Sequence, residues 1–256
     1  MSYIIGGRIV TDGLVVYYDA LNNKSYPGSG TSWLDLTPYN NTGSLTGGST
    51  PVPIANGYAS FSGVNNSEIV DINDIGEINT ITNYATVDMW AKIKTPIAPN
   101  IEGSMFGWNI YSMTFRLFGA GGNLRYLGFD TAINDQYGID TATLATLGLE
   151  NNWKHYCFVF VNGNSSQGNL PKENQKIYIN SVNQPLSQVA GTDSANNRLF
   201  SFTSTSDAQF PGIRFGSGAD RLVNMDVASI KIYNRELTQA EITQNFNAHK
   251  GRFDIY

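Results

Sequence analysis

Charge is scarce in this sequence: Asp, Glu, Lys and Arg make up 14% of the 256 residues, well below the usual share of a globular domain. The 16 basic residues form no run or stripe, and the net charge is −5. Such a chain has no field with which to hold a phosphate backbone, so no nucleic acid is expected as partner. Histidine occurs only at His155 and His249, and cysteine only at Cys157. A lone cysteine excludes an intrachain disulfide and a thiolate metal cluster, and HExxH, phosphate-loop and dinucleotide motifs are all missing. No stretch approaches the roughly 18 apolar residues of a membrane span, and "MSYIIGGRIV" lacks both the basic start and the apolar core of a signal peptide. The expectation is a soluble chain made in a cytoplasm, with no membrane partner.

What the chain does have is Gly (26) and aromatic residues (12%), a composition suited to short strands joined by many turns. Strand-like runs recur as "GLVVYYD" (13–19), "YASFSG" (58–63), "EIVDI" (68–72), "ATVDMWAKI" (85–93), "MTFRLFG" (113–119), "LRYLGFD" (124–130), "WKHYCFVFV" (153–161), "QKIYIN" (175–180), "GIRFG" (212–216) and "DVASIKIY" (226–233). In "ATVDMWAKI" the alternation puts Ala85, Val87, Met89, Ala91 and Ile93 on a core face. Thr86, Asp88, Trp90 and Lys92 fall on a polar one. In "HYCFVFV" both faces are apolar, as in a strand covered on both sides, so Cys157 reads as a buried thiol. No helices alternate with the strands, which predicts an all-β, antiparallel β-sandwich rather than a parallel α/β fold. One domain is expected, residues 13–256, preceded by an N-terminal arm, 1–12, where Gly6 and Gly7 interrupt a strand-like run. Long loops are expected at 131–150, 162–174 and 187–209.

One short C-terminal helix stands out, in "RELTQAEITQNF" (235–246). Thr238 and Glu241 have the spacing of a capping box, and Leu237 can staple onto Ile242. Phe246 shares a face with Ile242, and Gly251 is placed to supply a left-handed stop. The narrow apolar stripe predicts a helix that plugs a rim or edge of the sandwich. His249, in its last turn, would complement the helix dipole if partly protonated.

The ordered segments "WLDLTPYNNTGSL" (33–45), "GYASFSG" (57–63), "TVDMWAKI" (86–93), "NNWKHYCFVFV" (151–161), "QKIYINSVNQP" (175–185) and "IKIYNRELTQAEITQNFNAHKGRF" (230–253) resemble the laminin-G-like, concanavalin-A-like jelly-roll family. That resemblance implies a jelly-roll sandwich closed by a short helix, with Trp90 and His155 at structural positions. The opening "VTDGLVVYYDALNNKSYPGSGTSWLDLT" and closing "NRELTQAEITQNFNAHKGRF" are similar to versions of this domain in virion structural proteins of tailed bacteriophages. This implies a non-enzymatic virion component, a head decoration, neck or tail-associated protein assembled in the host cytoplasm in several copies and docked to other virion proteins. Tyr3, Ile4, Ile5 and Arg8 of the arm are the docking candidates.

The same superfamily contains glucanases. A retaining glycosidase needs two carboxyl groups about 5 Å apart on one face, whereas Glu68 and Asp71 are three residues apart in a strand and point to opposite faces. No catalytic residue is assigned. Calcium is the ion the resemblance implies, held on the rim by acidic pairs. Here Asn65, Asn66, Ala228 and Ser229 replace those acids, leaving Glu68, Asp71 and Asp226 as the remaining donors, and no other cofactor is expected. The alternative function is carbohydrate binding on host-surface glycans, for which Trp90, Trp108, Tyr111 and Tyr137 are the candidate aromatic platforms.

Overall fold

The computed structural model describes residues 7–47, 54–62, 68–94, 102–108, 111–117, 124–130, 136–162, 172–190, 202, 206–210 and 224–255. In chain order the strands are β1 (Leu14–Asp19), β2 (Ser32–Trp33), β3 (Gly43–Gly47), β4 (Ile54–Ala55), β5 (Tyr58–Phe61), β6 (Glu68–Ile75), β7 (Tyr84–Ile93), β8 (Glu102–Trp108) and β9 (Tyr111–Leu117). They continue as β10 (Leu124–Asp130), β11 (Gln136–Ile139), β12 (Trp153–Val161), β13 (Lys176–Ile179), β14 (Val182–Asn183), β15 (Ser187–Ala190), β16 (Ser206–Phe210) and β17 (Met225–Tyr233), with helices α1 (Thr141–Thr146) and α2 (Gln239–His249).

All named strand pairs are antiparallel and fall into two sheets. The first runs β14-β13-β12-β7-β17-β5-β4, with β1 also paired to β17, and the second runs β15-β11-β10-β9-β8-β16-β6-β3-β2. The fold is the expected all-β sandwich. Its core lies between the sheets, where Val87 and Met89 of β7, Phe158 and Phe160 of β12 and Ile230 and Ile232 of β17 meet Ile72, Phe106, Trp108, Leu127 and Phe129. Alternation along the strands puts this set on one face.

The opposite face of the first sheet departs from expectation. Thr86, Asp88 and Trp90 are as fully buried as their inward neighbours, because α2 lies flat across β7, β12 and β17 instead of plugging a rim. Leu237 and Ile242 pack with Cys157, Val159 and Tyr233, and Phe246 and Phe253 stack on Trp90 at 5.7 and 4.3 Å. The face that reads as polar in the strand pattern is therefore a second, smaller core.

The start of α2 follows its sequence. Thr238 accepts from the Glu241 N–H while the Glu241 carboxylate accepts from the Thr238 N–H, closing the capping box. The end differs: Gly251 sits inside a 3-10 turn, Lys250–Phe253, and Asp254 takes the left-handed conformation at φ 54°. The expected 131–150 loop contains β11 and α1, and β3 lies inside the turn-rich segment after β1. The β4–β5 hairpin turns on Asn56 and Gly57, both at positive φ, as a two-residue Asn-Gly turn requires. The expected strand at 212–216 lies outside the described residues.

Residues 8–12 are tied to the body. The Val10 N–H donates to Asn245 Oδ1, its carbonyl accepts from the Tyr233 hydroxyl, and Gln244 donates to the Arg8 carbonyl. No helix among the described residues is long and apolar enough to cross a membrane.

Candidate functional site

The residues with most chemistry gather under α2. Asp88, His155 and Lys231 are brought side by side by the β12–β7–β17 register. The Asp88 carboxylate accepts from Lys231 Nζ at 2.8 Å, from His155 Nε2 at 2.9 Å and from Asn245 Nδ2 at 3.0 Å. Burial alone would raise the Asp88 pKa, but the Lys231 ammonium, His155 and the hydrogen bonds from both outweigh it and hold the carboxyl well below its usual range. Cys157 is two residues from His155 on the same face, yet burial pushes its thiol well above the usual value, with Asp88 adding to the rise, so it has no thiolate character. His249 is lowered to about 2 by burial, then by Lys231 and Arg252. Its ring is therefore neutral at ordinary pH, contrary to the partly protonated role expected of it. All of Asp88, His155, Lys231 and Cys157 are closed off from solvent, and the cluster joins helix to sheet.

The sequence candidates do not converge. Trp90 lies beneath α2. Trp108 lies in the main core, edge-on to Phe106, Phe160 and Phe202. Neither ring is open to a ligand, because each supplies the large apolar area its core is built from. Tyr137 sits in β11 rather than a loop, half-buried against the main core. Tyr111 opens β9, and its side chain lies outside what is described. Glu68 and Asp71 belong to β6 of the second sheet, where the Glu68 carboxylate accepts from the Ser62 N–H and hydroxyl. Asp226 belongs to β17 of the first sheet and is held by Lys92 at 3.0 Å, Lys94 at 2.8 Å and the Ser60 hydroxyl. The three candidate metal donors are thus split between sheets, and a cation at Asp226 would face two ammonium groups; among the described residues no other acidic or histidine cluster could hold an ion. Of the docking candidates, Arg8 is exposed, while Tyr3, Ile4 and Ile5 lie outside the described residues.

An open cleft of about 450 Å³ lies where the β6–β7 connection faces the end of β17, lined by Glu77, Asn79, Ile81, Tyr84, Asn234 and Arg235 among others. Its first wall is a pinned turn. Ile75 and Ile78 anchor it in the core, Asn79 Oδ1 accepts from the Ile81 N–H, and the Thr82 hydroxyl accepts from the Asn79 N–H. The amide of Asn162 donates to the Thr82 carbonyl from beneath. The second wall begins where Asn234 donates its N–H to the Gly13 carbonyl and the Thr86 hydroxyl donates to the Arg235 carbonyl. Tyr84, half-buried, receives a hydrogen bond on its hydroxyl from Asn174.

The polar groups of the cleft differ in their freedom. Arg235 is committed to Glu241 at 2.6 and 3.1 Å and to Asp12 at 2.9 Å. Glu77, which lines the cleft, accepts from Asn41 at Oε2, and its Oε1 has no donor among the described residues. The side-chain amide of Asn234 likewise has no hydrogen-bond partner among the described residues. Ile81 is 62% exposed. A carboxylate oxygen, a free amide, an aromatic ring and an aliphatic side chain around a shallow opening suit a ligand with hydroxyl groups on one side and C–H groups on the other. The sequence signal is the amide-rich "EINTITNYA" (77–85) between two strands, where Ile81, flanked by Thr80 and Thr82, has no alternation partner.

No protein-family model and no curated protein matches the sequence. Among solved structures, the chain is similar to the binding domain of Paraclostridial Mosquitocidal Protein 1, at 16% identity and a TM-score of 0.59, over 93% of this chain and 52% of that one. It is also similar to domain 4 of the extracellular arabinanase AbnA from Geobacillus stearothermophilus, in complex with arabinotriose, at 17% identity and a TM-score of 0.54, over 91% and 97% of the two chains. A third likeness is to Trypanosoma rangeli sialidase, at 14% identity and a TM-score of 0.55, covering 95% of this chain but only 35% of the sialidase. At these identities what is shared is the fold, a β-sandwich.

Proposed function

We propose that this chain is a non-enzymatic attachment module that binds carbohydrate through the β6–β7 cleft. The observation that carries the reading is the cleft itself: a pinned, open concavity in which Glu77 Oε1 and the Asn234 amide are free beside Tyr84 and Ile81. The likeness of fold to a domain solved with arabinotriose supports it. A non-catalytic role is supported by the commitment of Asp88, His155 and Lys231 to one another under α2. The resemblance of the opening and closing segments to tailed-phage virion proteins supports a place on such a particle, among copies of itself and other virion proteins. Attachment to the particle would use apolar side chains left exposed on the segment after β1, Leu21, Leu34 and Tyr39.

A glycan array of bacterial surface polysaccharides and common oligosaccharides tests the first part. Specific binding that is lost in Asn234→Ala and Glu77→Ala, with unchanged circular dichroism, is expected; silence across the array refutes it. Mass spectrometry of washed particles tests the second, and absence of the chain from them would remove the virion assignment while leaving the cleft untouched.

A further inference from the structure

Resting on the reading of the β6–β7 cleft as a carbohydrate site, we infer that it selects uncharged sugars and turns away glycans that present a carboxylate, such as sialic and uronic acids. Recognition of an acidic sugar needs an available cation, most often a guanidinium that can meet the carboxylate with two parallel N–H bonds. Among the described residues the cleft has one guanidinium, Arg235, and both of its terminal nitrogens already point at Glu241 while Nε points at Asp12 and the Asp12 carbonyl. Its remaining N–H capacity on Nη1 goes to the Glu236 carbonyl. The charge is spent as well as the geometry: Glu241 is lowered to about 2, first by its hydrogen bond from Arg235, so it is ionised at neutral pH.

Lys176 offers no substitute, since its ammonium is paired with Glu236. Among the described residues, one committed cation stands against Glu241, Asp12 and Glu77, and Glu77 Oε1 has no donor. A carboxylate on the ligand would meet that oxygen with no uncommitted positive charge among the described residues to offset it. Hydroxyl groups of a neutral sugar can instead donate to Glu77 Oε1 and accept from the Asn234 amide.

Isothermal titration of the whole chain with matched probes tests this: lactose against 3′-sialyllactose, and methyl-esterified against free trigalacturonate, alongside maltotriose and chitotriose. At least one neutral probe is expected to bind, with each acid at least about tenfold weaker than its neutral match. In Glu77→Gln, which removes the free charge and keeps the shape, the discrimination is expected to shrink about tenfold. An acidic probe that binds as well as its neutral match, or discrimination unchanged in Glu77→Gln, overturns the inference while leaving the cleft a carbohydrate site. No heat with any probe, together with a silent array, overturns the proposed function itself.

Discussion

Replacing Asp88 with alanine removes the one acceptor shared by Lys231, His155 and Asn245, all of them fully buried. The ammonium of Lys231 is left without a counter-charge in a site water does not reach. Breaking a buried ion pair from one side costs about 3–5 kcal/mol. The two further hydrogen bonds, His155 to Asp88 and Asn245 to Asp88, are part of the same event and are not added separately. For a chain of this length, about 2–4 °C of melting temperature accompanies each kcal/mol, so Asp88→Ala is expected to lower Tm by about 6–20 °C. Adding Lys231→Met to that variant removes the stranded charge, and the double variant is expected to recover at least half of the loss. Thermal and urea unfolding followed by circular dichroism measure both. A single variant within about 1 kcal/mol of the parent, or a double variant less stable than the single, would refute the account of this cluster. The sign of the pH effect follows from the depressed Asp88 pKa. The stabilisation is whole above the ordinary carboxyl value of about 4 and is lost as pH falls below it, so Asp88→Ala should unfold less steeply in acid than the parent.

Other outcomes follow from the same coordinates. Because the folded His249 pKa is lowered to about 2, its contribution is complete above the unfolded value of about 6.5 and declines as pH drops through that point. A His249→Gln variant should show a flatter stability profile between pH 6.5 and 4, and an unchanged slope would contradict this. Trp90→Ala should cost about 3–5 kcal/mol yet leave glycan affinity, measured at a temperature where the variant is folded, the same as the parent's. Since Asp226 is held by Lys92 and Lys94, chelation should leave Tm unmoved, and a fall of several degrees on adding EDTA would mean a bound ion. Deleting residues 1–10 removes a buried Val10 whose N–H and carbonyl are both bonded, so it should lower stability by about 1–3 kcal/mol rather than leave the body unaffected.

Much of the sandwich can be read directly from the chain, because its strands alternate or run apolar over enough residues: β1, β5, β6, β7, β10, β12, β13 and β17 all fall within a few residues of their sequence segments. The capping box of α2 is legible for the same reason, being a local arrangement. What cannot be read locally is which face a distant element covers. Nothing near Trp90 or Asp88 announces that Phe246, Asn245 and Phe253, more than 150 residues away, come down on them, and so a polar stripe that pairs internally passes for a solvent-facing one. Strands as short as β2 and β14 escape for want of a period, and α1 for want of an apolar stripe, with Leu144 its only buried residue. The cleft residues are not legible in the sequence, because Asn, Thr and Glu between two strands read there as ordinary loop. Aromatic residues attract attention instead, and in this chain Trp90 and Trp108 were the ones needed for packing.

Strand β7 has a neighbour on each edge, the main core on one side and α2 on the other. Water can approach its amide hydrogens only when the whole assembly opens, so their exchange with deuterium should be governed by global unfolding, while the two-residue strands β4 and β14 at the margins exchange through local fraying. One labelled strand can therefore serve as a gauge of the entire molecule's thermodynamic stability.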